Sequence, residues 1–96
     1  MAEVDTIYKE YHSYMKRYVL IFRFNEKATN DWSNFTKDHQ NQQVGLFLKD
    51  TLVFVATIAS QITGGVSLWA GGHSEKELDD LKVKFEKEIR KAKNLE

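Results

Sequence analysis

EVDTIYKEYHSYMKRYVLIFRF, residues 3–24, is the stretch whose reading decides the fold. In its first part Val4, Ile7, Tyr8, Tyr11, Tyr14, Met15 and Tyr18 recur at intervals of three and four, the spacing that lines one side of a helix. This predicts an amphipathic helix over Glu3 to Arg17. Taken as a strand, the same residues would set Ile7, Lys9, Tyr11, Ser13 and Met15 on one face, a mixture of polar and apolar groups that buries nothing cleanly. From Tyr18 to Phe24 the pattern changes. Leu20, Phe22 and Phe24 alternate with Val19 and Ile21, so this run predicts a strand apolar on both faces, with Arg23 carrying its charge back to water near the end.

Downstream, Asn25 to Gln43 is rich in Asn, Asp, Ser, Thr and Gln, whose side chains compete for backbone hydrogen bonds. Ala28, Trp32, Phe35 and His39 stand at helical spacing, which predicts a short helix that depends on aromatic anchors for its stability. Val44 to Gly71 predicts a three-stranded meander with turns at Lys49-Asp50 and Gly64-Gly65; adjacent glycines supply the two positive φ angles of a type I′ hairpin. Between the turns, Leu52, Phe54, Ala56 and Ile58 alternate with Val53, Val55, Thr57 and Ala59, as expected of a central strand. Ser74 and Glu77 form a capping box ahead of a long helix, Glu75 to about Asn94, whose inward stripe is Leu78, Leu81, Phe85, Ile89 and Ala92. The expected order is α-β-α-β-β-β-α. It describes an α+β fold in which a four-stranded, mainly antiparallel sheet packs with three helices, in a single domain over residues 1–96.

Hydrophobic residues at 42% and charged residues at 29% are the balance of a folded chain. Fourteen basic residues offset fourteen acidic ones, so no global field draws in nucleic acid or an anionic membrane, and partners must be recognised locally. The absence of cysteine excludes disulfides and thiolate chemistry and fits a reducing, cytoplasmic compartment. The first residues show no leader pattern and no apolar run approaches the roughly 20 residues of a membrane helix, so no membrane partner is expected.

The search for chemistry leaves little. His12, His39 and His73 are far apart and lack metal-ligand spacing, so no metal and no cofactor is expected. No Gly-x-Ser-x-Gly elbow is present, and Ser74 is already assigned to the helix cap. Gly71-Gly72-His73-Ser74 precedes a helix N-terminus, where backbone N–H groups can hold phosphate, but the spacing is not that of a P-loop, and Glu75 and Glu77 place negative charge there.

These observations favour a binding protein over an enzyme. Trp69 shares its strand face with Ser67 and is either an exposed aromatic anchor or packed under a helix, and the tyrosine stripe that includes Tyr11 is either core with hydroxyls reaching the rim or a second contact surface. The leading reading is a non-enzymatic inhibitor or adaptor that binds another protein, homodimeric, with a virus- or phage-encoded anti-defence (anti-CRISPR-like) protein as one instance. Trp69, Tyr11, Lys87 and Arg90 are its candidate partner-binding residues. One alternative is a nucleic-acid-binding accessory protein using the basic end of the last helix. Another is a small enzyme or ligand carrier with a pocket between the sheet and residues 25–43.

Overall fold

A computed structural model describes residues 3–69 and 73–94. Its elements run β1 (Val4–His12), β2 (Arg17–Phe24), α1 (Glu26–Asp38), β3 (Gln43–Leu48), β4 (Thr51–Thr57), β5 (Val66–Trp69) and α2 (Glu75–Asn94). The strands form two antiparallel sheets, one of three strands in the order β1-β2-β5 and one of two, β3-β4. The expected four-stranded sheet with three helices is therefore corrected, among the described residues, to two small sheets with two helices. The end of the expected last strand and the Gly71-Gly72 pair lie outside the described residues.

The first correction is at the N-terminal segment, where Val4 to His12 is a strand and not a helix. A β-bulge between Val4 and Thr6 inserts one extra residue into β1. Val4 and Ile7, three positions apart, thus both face the core, each 5% exposed. The interval that imitates a helical turn is that of a bulged strand. Beyond the bulge Ile7, Lys9 and Tyr11 lie opposite Phe22, Leu20 and Tyr18. Lys9, the residue that counted against a strand, is accommodated because α2 brings carboxylates to it. Its Nζ lies 2.6 Å from Glu75 Oε2 and 2.8 Å from Asp79 Oδ1, and 4.9 Å from the centre of the Tyr18 ring. Hydrogen bonding to Asp79, and then to Glu75, raises the Lys9 pKa above its ordinary value. Tyr14 and Met15 belong to the turn between the strands, where Lys16 takes a φ of 54° and His12 Nδ1 accepts the Met15 N–H.

β2 is central, and its consecutive residues Val19, Leu20, Ile21 and Phe22 are all buried. Leu20 and Phe22 enter a core with Val4, Ile7, Phe54, Trp69 and the α2 residues Leu78, Leu81, Phe85 and Ile89, while Val19 and Ile21 form a smaller cluster with Tyr8 and Val66. Phe22 meets Phe85 edge to face at 5.1 Å, and Phe54 meets Trp69 at 5.9 Å, so one core joins both sheets to α2. Full burial of such side chains stabilises by about 1.5–3 kcal/mol each. The cap of α2 closes reciprocally: Glu77 N–H donates to Ser74 Oγ at 3.2 Å and Ser74 N–H to Glu77 Oε1 at 2.9 Å. That backbone bond holds the Glu77 carboxyl below its ordinary pKa.

The second correction concerns β4, expected as a central strand, in which Phe54 alone is buried. Its turn from β3 does fall at Lys49-Asp50, with Lys49 at a φ of 55°. The Gly64-Gly65 hairpin does not form, because β5 pairs with β2 and not with β4. Gly65 has a φ of 75° and its carbonyl accepts the Phe24 N–H at 2.9 Å, which delivers the chain to the edge of β2. A Cβ there would stand 2.9 Å from Thr29 Oγ1. The homodimer expected from the sequence is not supported by this fold, in which β4 is not a second central strand and buries Phe54 alone.

Candidate functional site

α1 starts at Asn25, whose Oδ1 accepts the Ala28 N–H at 2.9 Å, and this cap sets Trp32 above β2 and β3. Trp32 stacks on Phe35 at 5.6 Å and 14°, Phe35 stacks on His39 at 4.2 Å, and Phe24 closes the other side at 6.1 Å. Trp32 and Val44 together line three adjoining cavities of about 350, 220 and 510 Å³. Shared walls make them one cleft between the α1 side of the large sheet and the β3-β4 hairpin. The Trp32 indole N–H is buried with no acceptor among the described residues.

The 350 Å³ part has an unusual wall: every residue of β5, Val66 to Trp69, and the unbroken run Ala56 to Ser60. Side chains alternate across a strand, so a pocket above one face meets every second residue. A pocket that meets all of them runs along the edge. Among the described residues β5 is the last strand of its sheet and β4 pairs only with β3, so both have a side without a strand partner. The cleft is thus a slot bordered by backbone N–H and C=O groups and by Val44, Ile58, Ile62, Leu68 and Trp69. The polar side chains of this 350 Å³ part are Thr57, Ser60 and Ser67, and no charged residue among the described ones lines it; Glu3 and Asp31 line the adjoining 510 Å³ part.

Thr36 fixes the slot's far wall. Fully buried, it accepts the Ile62 N–H at 2.9 Å through Oγ1 and donates to the Trp32 carbonyl at 2.9 Å. Gln61 Nε2 adds a bond to Ser33 Oγ at 2.9 Å, so the loop after β4 is tied to α1 twice.

The residues picked from the sequence are not brought together. Trp69 is 7% exposed and packs on Phe54, so it is a core residue at the slot's floor and not an open anchor. Ser67, its face partner, is buried as well. Tyr11 is half exposed against Tyr18, with ring centres 5.2 Å apart, away from the cleft. Lys87 and Arg90 are exposed on α2 but line separate depressions, Lys87 beside the β3-β4 turn and Arg90 beside β1. Sequence reading missed Val44, Leu68 and Thr36, and it noted Trp32 only as an anchor. The signal available was an aromatic ladder on a helix too polar to dock by itself.

A family model for the SecDF P1 head subdomain matches residues 2–87. Two solved structures share the fold. A crystal structure of SecDF in a super-membrane-facing form superposes with a TM-score of 0.76 and 16% identity, covering 86% of this chain and 11% of that one. A structure of SecDF, described as a membrane component that enhances protein export, gives 0.74 and 16%, covering 86% of this chain and 37% of that one. The chain therefore spans about a tenth and just over a third of the solved chains it resembles. No curated protein matches.

These matches overturn the reading as a virus- or phage-encoded inhibitor or adaptor, which drew on composition, and composition reports no fold. The cytoplasmic placement is corrected too, because the family is a subdomain of a membrane component. A lack of cysteine rules out disulfides but does not require a reducing compartment. With its model matching residues 2–87, the chain belongs to the SecDF P1 head subdomain family.

Proposed function

We propose that this chain acts without catalysis, outside the cytoplasm, as the head of a protein-export component, and that its partner is another protein: an extended apolar segment of a polypeptide in transit. The observation that carries this reading is the slot lined by all of β5 and by the run Ala56 to Ser60, which carries on from the end of β4, where both strands have a side without a strand partner among the described residues. An extended segment entering it pairs its main chain with β5, with β4 or with both, and main-chain pairing accepts many sequences. Its alternate side chains meet Val44, Ile62 and Leu68, and the Trp32 indole N–H gains an acceptor. The chemistry-bearing side chains have structural employment, which supports a binding role. Ser74 caps α2, His73 Nε2 lies 2.8 Å from the Val53 carbonyl, and His39 Nδ1 lies 2.8 Å from the Phe35 carbonyl.

The test is a tryptophan-fluorescence titration with a short Val/Leu peptide and with the same peptide N-methylated at alternate amides. Each lost main-chain bond contributes about 0.5–1.5 kcal/mol, so methylation on the pairing edge is expected to weaken binding by roughly tenfold or more. A Leu68→Asp variant is expected to weaken both. Equal affinity for the two peptides, or no effect of Leu68→Asp, contradicts strand pairing in the slot.

A further inference from the structure

The cations of this neutral chain are unevenly placed. Beyond Leu81, α2 carries six lysines and arginines against two glutamates, whereas from Glu75 to Leu81 it carries four acidic residues against one lysine. Lys84, Lys87 and Lys91, from the basic half, meet Lys49 of the β3-β4 turn around a depression of about 540 Å³. The one carboxylate in its wall is Glu88, 3.5 Å from Lys49 and 3.8 Å from Lys91, and Asp50 is the turn neighbour. A cationic excess is left facing outward. On the other face of the same hairpin tip, Phe47 and Leu52 are cross-strand partners, 53% and 49% exposed.

We propose that this tip and the basic half of α2 form a peripheral contact for an anionic lipid bilayer, with the lysines on the headgroups and Phe47 and Leu52 in the interfacial layer. Stable attachment to a bilayer takes two signals, charge and apolar insertion, and both are present around the β3-β4 tip, the charge on Lys49 and the neighbouring α2 lysines and the apolar pair on the hairpin's other face. A nucleic acid would use the lysines but has no place for an aliphatic and aromatic pair pointing outward together. The contact lies at the opposite end of β3-β4 from the slot, whose wall takes Ala56 to Ser60, so occupation of one leaves the other open. It does not depend on the polypeptide-binding reading.

The experiment is flotation of the purified chain with vesicles of phosphatidylcholine alone and of phosphatidylcholine with phosphatidylglycerol. Binding is expected only to the anionic vesicles and is expected to weaken as salt rises. A lysine near such a surface contributes roughly fivefold, so Lys84→Gln, Lys87→Gln and Lys91→Gln together are expected to cost on the order of a hundredfold. Phe47→Ser with Leu52→Ser is expected to lower binding several-fold with the salt dependence unchanged. All five positions are exposed or partly so, and circular dichroism melting of each variant confirms that it folds. Equal partition onto neutral vesicles, no binding to anionic ones, or a folded glutamine triple that binds like the parent overturns the proposal. So does a short DNA duplex that binds as tightly as the anionic vesicles while the serine pair changes neither, since that describes a general polyanion site.

Discussion

The β1-β2 and β3-β4 hairpins are alike in build and opposite in surroundings. β1-β2 gains β5 along one side and α2 across one face, and four successive residues of β2 disappear from solvent. β3-β4 gains no third strand among the described residues. It turns Val44, Leu46, Leu48 and Phe54 toward the core and leaves Phe47, Leu52 and Val55 about half exposed. β4 is apolar almost throughout, yet it buries little. Apolar content therefore states what a strand could bury, and its neighbours decide what it does bury. An uncovered hairpin with free edges is an aggregation hazard unless something is meant to cover it. Here one of its ends borders the slot and the other carries the cationic tip.

The largest expected effect tests that contrast directly. Phe85→Ala, fully buried under the large sheet, is expected to cost about 3–5 kcal/mol in denaturant unfolding. Phe47→Ala on the outer face of β3-β4 is expected to stay within about 0.5 kcal/mol. Comparable losses would mean that the hairpin's outer face is packed. Next in size is Thr36→Val, which keeps the shape but removes the acceptor of the Ile62 N–H, at about 1–3 kcal/mol. Thr36→Ser keeps the hydroxyl and is expected to retain most of the stability. If valine and serine behave alike, the loop after β4 is not held by this bond.

The smallest effect sharpens how β1 tolerates a lysine. The Lys9 pKa is raised from 10.5 by its carboxylate partners, so its contribution is fully present below that ordinary value and is lost as pH rises through the higher folded one. Glu77, lowered from 4.5, behaves oppositely: its contribution is present above that value and is lost as acid takes the pH through the lower folded one. Lys9→Met is expected to reduce the fall in melting temperature above pH 10.5 relative to the parent. An unaltered alkaline profile would mean that the pairs with Glu75 and Asp79 contribute nothing to stability.

Elements built from local rules were legible. The α2 cap at Ser74 and Glu77, the α2 stripe, the β2 run and the Lys49-Asp50 turn all follow from short-range geometry. β1 was not legible, because a bulge shifts the alternation by one residue and because Lys9 is matched by carboxylates some 66 residues away in the chain. The β5 pairing was hidden for a similar reason, since Gly64-Gly65 is locally a hairpin signal and only the position of the β2 edge overrides it. Of the site, Trp32 stood out by spacing. A slot between two strand edges belongs to the assembled sheets and has no motif.

The central claim, that the free sides of β5 and β4 receive an extended chain, is met most directly by amide hydrogen exchange with and without the Val/Leu peptide. Those amides of Val66 to Trp69 and Ala56 to Ser60 that do not already bond β2 or the β3 side are expected to exchange roughly tenfold more slowly when the slot is filled. Slowing confined to other parts of the molecule, with these amides unchanged at saturating peptide, would contradict it.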